Sequence, residues 1–132
     1  MNIALMAHDG KKELMVQFCI AYCGILSKHD ICATSTTGKL VSEATGLPIT
    51  LCLSASQGGI QQIGARVAYN EIDLTLFFCD TMEENFSDVN EIARLCDQYS
   101  VPFASNVATA EVLIQGLRRG DLDWRDIVNP KE

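Results

Sequence analysis

Leu74-Thr75-Leu76-Phe77-Phe78 is the stretch on which the fold turns. A strand with one face in water alternates apolar and polar residues, whereas this one is apolar almost throughout. Such a run fits a strand covered on both faces, as in a parallel sheet clad with helices. The segments on either side support that reading. Upstream, residues 2–7 form an apolar run ended by His8-Asp9-Gly10. Over residues 11–27, Leu14, Met15, Phe18, Cys19, Tyr22, Ile25 and Leu26 recur at helical spacing. A strand over 29–33, a short helix over about 39–45 closed by Gly46 and Pro48, and a strand over 49–53 follow. The turn 54–59 leads into a helix with the stripe Ile60, Ile63, Gly64, Val67 and Ala68.

Downstream, the acidic loop 80–87 precedes a helix that turns Val89, Ile92, Ala93, Cys96 and Tyr99 inward. A fifth strand is expected over 101–104, and Asn106 caps a helix carrying Ala110, Leu113, Ile114 and Leu117. Strand and helix thus alternate five times. The expected fold is α/β: a doubly wound, five-stranded, mainly parallel sheet with helices on both faces, in a single domain over 1–132.

Composition narrows the function. A chain of 132 residues with 48% hydrophobic content suits one compact core, and a net charge of −7 disfavours nucleic acid as a partner. No apolar run approaches the roughly 18 residues of a membrane helix. The first residues lack a basic segment and a cleavage site, so no secretory signal is expected. Six cysteines without a CxxC pair read as reduced thiols in a cytoplasmic protein.

In a doubly wound sheet the carboxyl ends of the strands share one edge, where ligands bind. That edge collects His8-Asp9, residues 34–38, residues 54–59, Asp80 and Ser105-Asn106. Thr34, Ser35, Thr36 and Thr37 crowd the turn before a helix expected to start near Gly38. One hydroxyl suffices for a cap. Four beside free helix N–H groups form a pocket for a phosphate or carboxylate. Lys12, one turn into the first helix, reaches the same edge, either as an anion ligand or as a solvated lysine. His8-Asp9 reads either as a satisfied turn or as a reactive pair.

These residues, in this order, resemble the methylglyoxal synthase family. Its opening Ala-His-Asp with a following lysine is matched by Ala7-His8-Asp9 and Lys12. Its Ala-Thr-Gly-Thr-Thr-Gly is similar to Ala33-Thr34-Ser35-Thr36-Thr37-Gly38. Gly-Gly-x-Gln-Gln-x-Gly-Ala is matched by Gly58-Gly59-Ile60-Gln61-Gln62-Ile63-Gly64-Ala65. Pro-x-Ala-Thr-Asn-x-x-Thr-Ala is echoed by residues 102–110. The resemblance implies a phosphate elimination from dihydroxyacetone phosphate that yields methylglyoxal. It requires a phosphate grip, an electrophile for the enolate oxygen and a carboxylate base. It also implies that Lys12, Thr34, Ser35, Thr36 and Thr37 hold the phosphate, or inorganic phosphate itself. Ser54, Ala55 and His8 would face the ligand too. No metal or organic cofactor is implied, and the assembly would be a homohexamer.

Three departures bear on the chemistry. The family's base aspartate after Gly-Gly is Ile60 here. Its Pro-His-x-Pro-Asp loop is about two residues shorter here and has no histidine. Ser35 and Ala55 stand where the family has glycines. With the anion grip kept and the proton-moving groups altered, the expectation is a binding module for a small phosphorylated ligand, without turnover. The alternative is an active synthase in which another carboxylate has become the base, Asp80 before Asp88, Asp9, Glu83 or Glu84, with His8 assisting.

Overall fold

The computed structural model describes residues 1–84 and 86–131. Five parallel strands form one sheet: β1 (Asn2–Ala7), β2 (Asp30–Ala33), β3 (Ile49–Leu51), β4 (Leu74–Phe78) and β5 (Phe103–Ala104). Their order is β3-β2-β1-β4-β5. All four pairings are parallel, with Ala4 beside Cys32 on one side and Thr75 on the other. The chain winds outward from β1 to β3, then crosses back to β4. The split between β1 and β4 is therefore the place where such a sheet opens a ligand crevice.

The helices are α1 (Lys12–Ala21), α2 (Cys23–Leu26), α3 (Ser35–Thr45), α4 (Gly59–Ala68), α5 (Ser87–Gln98), α6 (Val107–Arg119) and α7 (Trp124–Val128). Strand periodicity sorts the core into two layers. Leu5, Leu76 and Phe78 face Phe18 of α1, Val41 of α3 and Ile114 of α6. Met6, Cys32 and Phe77 face Ile63 and Val67 of α4 and Ile92 and Cys96 of α5. β4 is buried at every position, so both of its faces are covered.

Several boundaries differ from the sequence expectation. The helix expected over 11–27 is broken at Tyr22 (φ −109°, ψ 22°), whose carbonyl accepts from the N–H groups of both Ile25 and Leu26. The helix expected near Gly38 begins at Ser35. Thr34 is extended, and the Gly38 N–H donates to its carbonyl, so Ser35, Thr36 and Thr37 form the first turn. β3 ends at Leu51 because the Leu53 N–H donates to Gln62 Oε1 at 2.8 Å. β5 starts at Phe103 because Pro102 has no N–H and that of Val101 closes onto Cys96. Tyr99, expected inward, caps α5 and is 39% exposed. The loop expected over 80–87 includes Asn85, which lies outside the described residues.

The edge of the sheet opposite the crevice carries a feature with no local signature. Asp73, before β4, is fully buried and Arg125 of α7 is 1% exposed. Asp73 Oδ1 accepts from Arg125 Nε at 3.2 Å and from Lys131 Nζ at 2.6 Å, while Oδ2 accepts from the Asn2 N–H at 2.8 Å. Arg125 also donates to the Ser100 carbonyl. Burial alone would push the Asp73 carboxyl up. The hydrogen bonds from Lys131, Asn2 and Arg125 outweigh it and hold the group below its ordinary value.

Candidate active site

A cavity of about 260 Å³ opens at the carboxyl edge, over the split between β1 and β4. β1 and the turn after it contribute Met6, Ala7, His8 and Asp9, and α1 contributes Lys12. Thr34 comes from the end of β2, and Ala55, Ser56 and Ile60 from the approach to α4 and its first turn. Phe77 of β4, Glu83 and Asp88 complete the wall. Of the five groups expected along this edge, those after β1, β2 and β3 line the cavity, whereas Asp80 and Ser105-Asn106 do not. Asn106 instead caps α6 by accepting from the Thr109 N–H.

His8 directly follows β1, where its own N–H donates to the Phe78 carbonyl at 3.1 Å. Its ring packs edge-on against Phe77 at 5.2 Å and Phe86 at 5.6 Å. The Asp80 main-chain N–H donates to His8 Nδ1 at 2.8 Å. A nitrogen that accepts a hydrogen bond carries no proton. This bond assigns the neutral tautomer with the proton on Nε2, so the ring offers a donor rather than a base at that atom.

The anion grip is partly assembled. Lys12 Nζ donates to the Ala7 carbonyl at 2.6 Å and pairs with Asp9 at 3.2 Å. Thr34 is buried and precedes α3 without a capping bond, so its hydroxyl is not consumed by the helix. The N–H groups of Thr36 and Thr37 lie in the first turn, where a helix supplies no partner. Thr37 is 1% exposed and its hydroxyl has no hydrogen-bond partner. An orphaned buried hydroxyl costs about 1–3 kcal/mol, which suits a group that acquires its partner from a ligand. Of the eight residues assigned to the ligand from sequence, His8, Lys12, Thr34 and Ala55 line the cavity. Ser35 and Ser54 adjoin them in the chain, and Thr36 and Thr37 follow in the first turn of α3 outside the lining.

Of the carboxylates put forward from sequence, Asp88, Asp9 and Glu83 line the cavity, while Glu84 and the favoured Asp80 do not. Asp88, in the first turn of α5, accepts from Gln61 Nε2 at 3.1 Å. Asp80 accepts from the Met82 N–H at 2.9 Å. Ile60 does both things the sequence suggested separately. It is 4% exposed within the α4–α5 core layer, and it forms part of the cavity wall. Sequence reasoning gave Gln61 and Gln62 no individual roles. Gln61 orients Asp88, and Gln62 pins Leu53. Their pairing inside the glycine-rich motif was the available signal. Among the described residues, no group of three or more His, Cys, Asp or Glu side chains is arranged to hold a metal ion.

Comparison with known proteins agrees with this geometry. Residues 15–105 match the family model described as the MGS-like domain. The methylglyoxal synthase of Caldicellulosiruptor saccharolyticus is 59% identical over 133 residues, spanning 99% of this chain and 94% of that protein. That of Geobacillus thermodenitrificans is 51% identical, spanning 98% and 91%. The crystal structure of methylglyoxal synthase from Elizabethkingia anophelis NUHP1 superposes with a TM-score of 0.81 at 41% identity, covering 86% of this chain and 76% of that one. These full-length relatives overturn the expectation of a binding module without turnover and support the alternative, an active synthase. The three departures noted in the sequence do not outweigh 50–59% identity over nearly the full length of these relatives. By fold, motif order and full-length likeness, the chain belongs to the methylglyoxal synthase family.

Proposed function

We propose that the protein is a methylglyoxal synthase, converting dihydroxyacetone phosphate to methylglyoxal and inorganic phosphate. The observation that carries this reading is the hydrogen bond from the Asp80 N–H to His8 Nδ1, which leaves Nε2–H as the donor in one cavity with Asp88 and Lys12. Asp88 takes a proton from the hydroxymethyl carbon of the substrate. The electron pair moves toward the carbonyl oxygen, where the His8 Nε2–H stabilises the enediolate. The hydroxymethyl oxygen then gives up its proton to the departing phosphate and becomes the aldehyde oxygen. The enediolate double bond shifts as the carbon–oxygen bond to phosphate breaks, and phosphate leaves with that bond's electron pair. The enol left behind takes a proton on its terminal carbon and becomes the methyl group of methylglyoxal.

Lys12 and the first turn of α3 hold the phosphate, with the Ser35 hydroxyl and the N–H and hydroxyl groups of Thr36 and Thr37 as donors. Lys12 exchanges its contact with the exposed Asp9 for the phosphate dianion. Ile60 presents an apolar wall that keeps water from the enediolate. The chain acts as one domain, in the cytoplasm, and as a homo-oligomer of hexameric order by family likeness. Among the described residues no helix is long and apolar enough to cross a membrane.

The test is methylglyoxal formation from dihydroxyacetone phosphate by the purified protein, beside Asp88→Asn and Lys12→Met. Turnover in the parent and a loss of about 10²–10⁴ in Asp88→Asn are expected. No turnover by the parent overturns the reading. Sedimentation of the same preparation tests the oligomer.

A further inference from the structure

Asp80 lies two residues beyond β4, the neighbour of the central strand, yet it is not part of the cavity lining and its carboxylate is engaged elsewhere. Oδ1 accepts from the Met82 N–H at 2.9 Å, and the Asp80 carbonyl accepts from the Glu83 N–H at 3.1 Å. Side chain and main chain together wind residues 80–83 into a turn, as aspartate does when it bonds the backbone two residues on. On its other side the carboxylate lies against Gly10. A Cβ at Gly10 would collide with Asp80 Oδ2, so the carboxylate occupies space left by a missing side chain. The N–H of this same fixed residue is the one aimed at His8 Nδ1, at 2.8 Å.

We propose that Asp80 is a positioning residue for His8: its carboxylate, seated over Gly10, fixes the turn whose N–H holds His8 as the Nε2–H tautomer. This assigns it a different part from the base considered on sequence grounds, and it also sets Glu83 at the cavity wall. The inference rests on the synthase reading for its kinetic consequences but not for its spectroscopic one.

Because Asn keeps the oxygen that accepts from Met82, Asp80→Asn preserves the turn, whereas Asp80→Ala removes it. Gly10→Ala forces the carboxylate to rotate away from Met82. The ring of His8 is observed directly by its nitrogen-15 resonances, assigned with His29→Gln, since the chain has two histidines. The expected result for the parent and Asp80→Asn is an unprotonated Nδ1 and a protonated Nε2 at neutral pH, with kcat within about threefold of each other. In Asp80→Ala and Gly10→Ala, a mixture of tautomers appears and kcat falls about tenfold or more, while KM for dihydroxyacetone phosphate changes less than kcat. Two outcomes would overturn the proposal. One is a kcat loss of about 10² or more in Asp80→Asn with the parent's spectrum, as for a lost base. The other is an unchanged spectrum in both Asp80→Ala and Gly10→Ala. An inactive parent would sink the synthase reading alone, since the tautomer would still be read.

Discussion

The two edges of the sheet treat polar groups in opposite ways. At the edge away from the crevice, Asp73 and Arg125 are buried, and both Asp73 oxygens have hydrogen-bond partners. At the carboxyl edge, the buried Thr37 hydroxyl has none and Thr34 makes no capping bond. Lys12 is held by an aspartate that is fully exposed. The Asp73–Arg125 pair has its hydrogen bonds completed by the fold, while the Thr37 hydroxyl leaves one for a ligand to complete. Stability and function are thus divided along the strand axis, with the same β strands running between them.

The largest expected effects separate the edges cleanly. Asp88→Asn lowers kcat by about 10²–10⁴ and shifts unfolding by no more than about 0.5 kcal/mol, read by turnover and urea denaturation of one preparation. Asp73→Ala does the reverse. It strands the buried Arg125 and destabilises the fold by about 3–5 kcal/mol, with kcat of the remaining folded protein near that of the parent. A large kcat loss with Asp73→Ala at full folding would abolish the division.

Acid tests the opposite edge through Asp73. Its carboxyl is held below the ordinary value in the folded protein, so the unfolded chain binds the proton more readily. The stabilisation is therefore complete above the unfolded value near pH 4 and is lost as the pH falls through the folded one. Urea midpoints measured from pH 6 down to pH 2 should fall less steeply in Asp73→Asn than in the parent.

The smallest effect sharpens the contrast most. Thr37→Val replaces an orphaned hydroxyl with a methyl group and should stabilise the free protein by about 1 kcal/mol. Denaturation repeated with saturating inorganic phosphate should show the parent gaining more from the ligand than the variant. Equal gains would remove Thr37 from the anion grip.

The layered fold was legible because a buried parallel strand and an amphipathic helix have different periods, and Leu74–Phe78 admits one reading. The start of α3 was missed for a local reason. Ser and Thr serve both as turn residues and in a first helical turn, and only the Gly38-to-Thr34 hydrogen bond decides between them. The site was legible as a set of strand ends, but not in its detail. Nothing in the sequence distinguishes Asp80 from Asp88, because the difference lies in whether a carboxylate meets Gly10 or Gln61 across the crevice. The Asp73–Arg125 pair was invisible for the same reason, since two charges far apart in sequence have no pattern until the chain folds.

The free cysteines take on a different meaning beside a product that is an electrophilic dicarbonyl, which attacks thiolates. Burial pushes the Cys19 thiol up to about 12, and Cys32 and Cys79 up to about 11. At neutral pH roughly one molecule in ten thousand carries the reactive form of Cys79, the thiol next to Asp80. A catalyst of this kind works inside a cloud of its own alkylating agent. Keeping these buried sulfurs protonated gives it chemical durability without a disulfide.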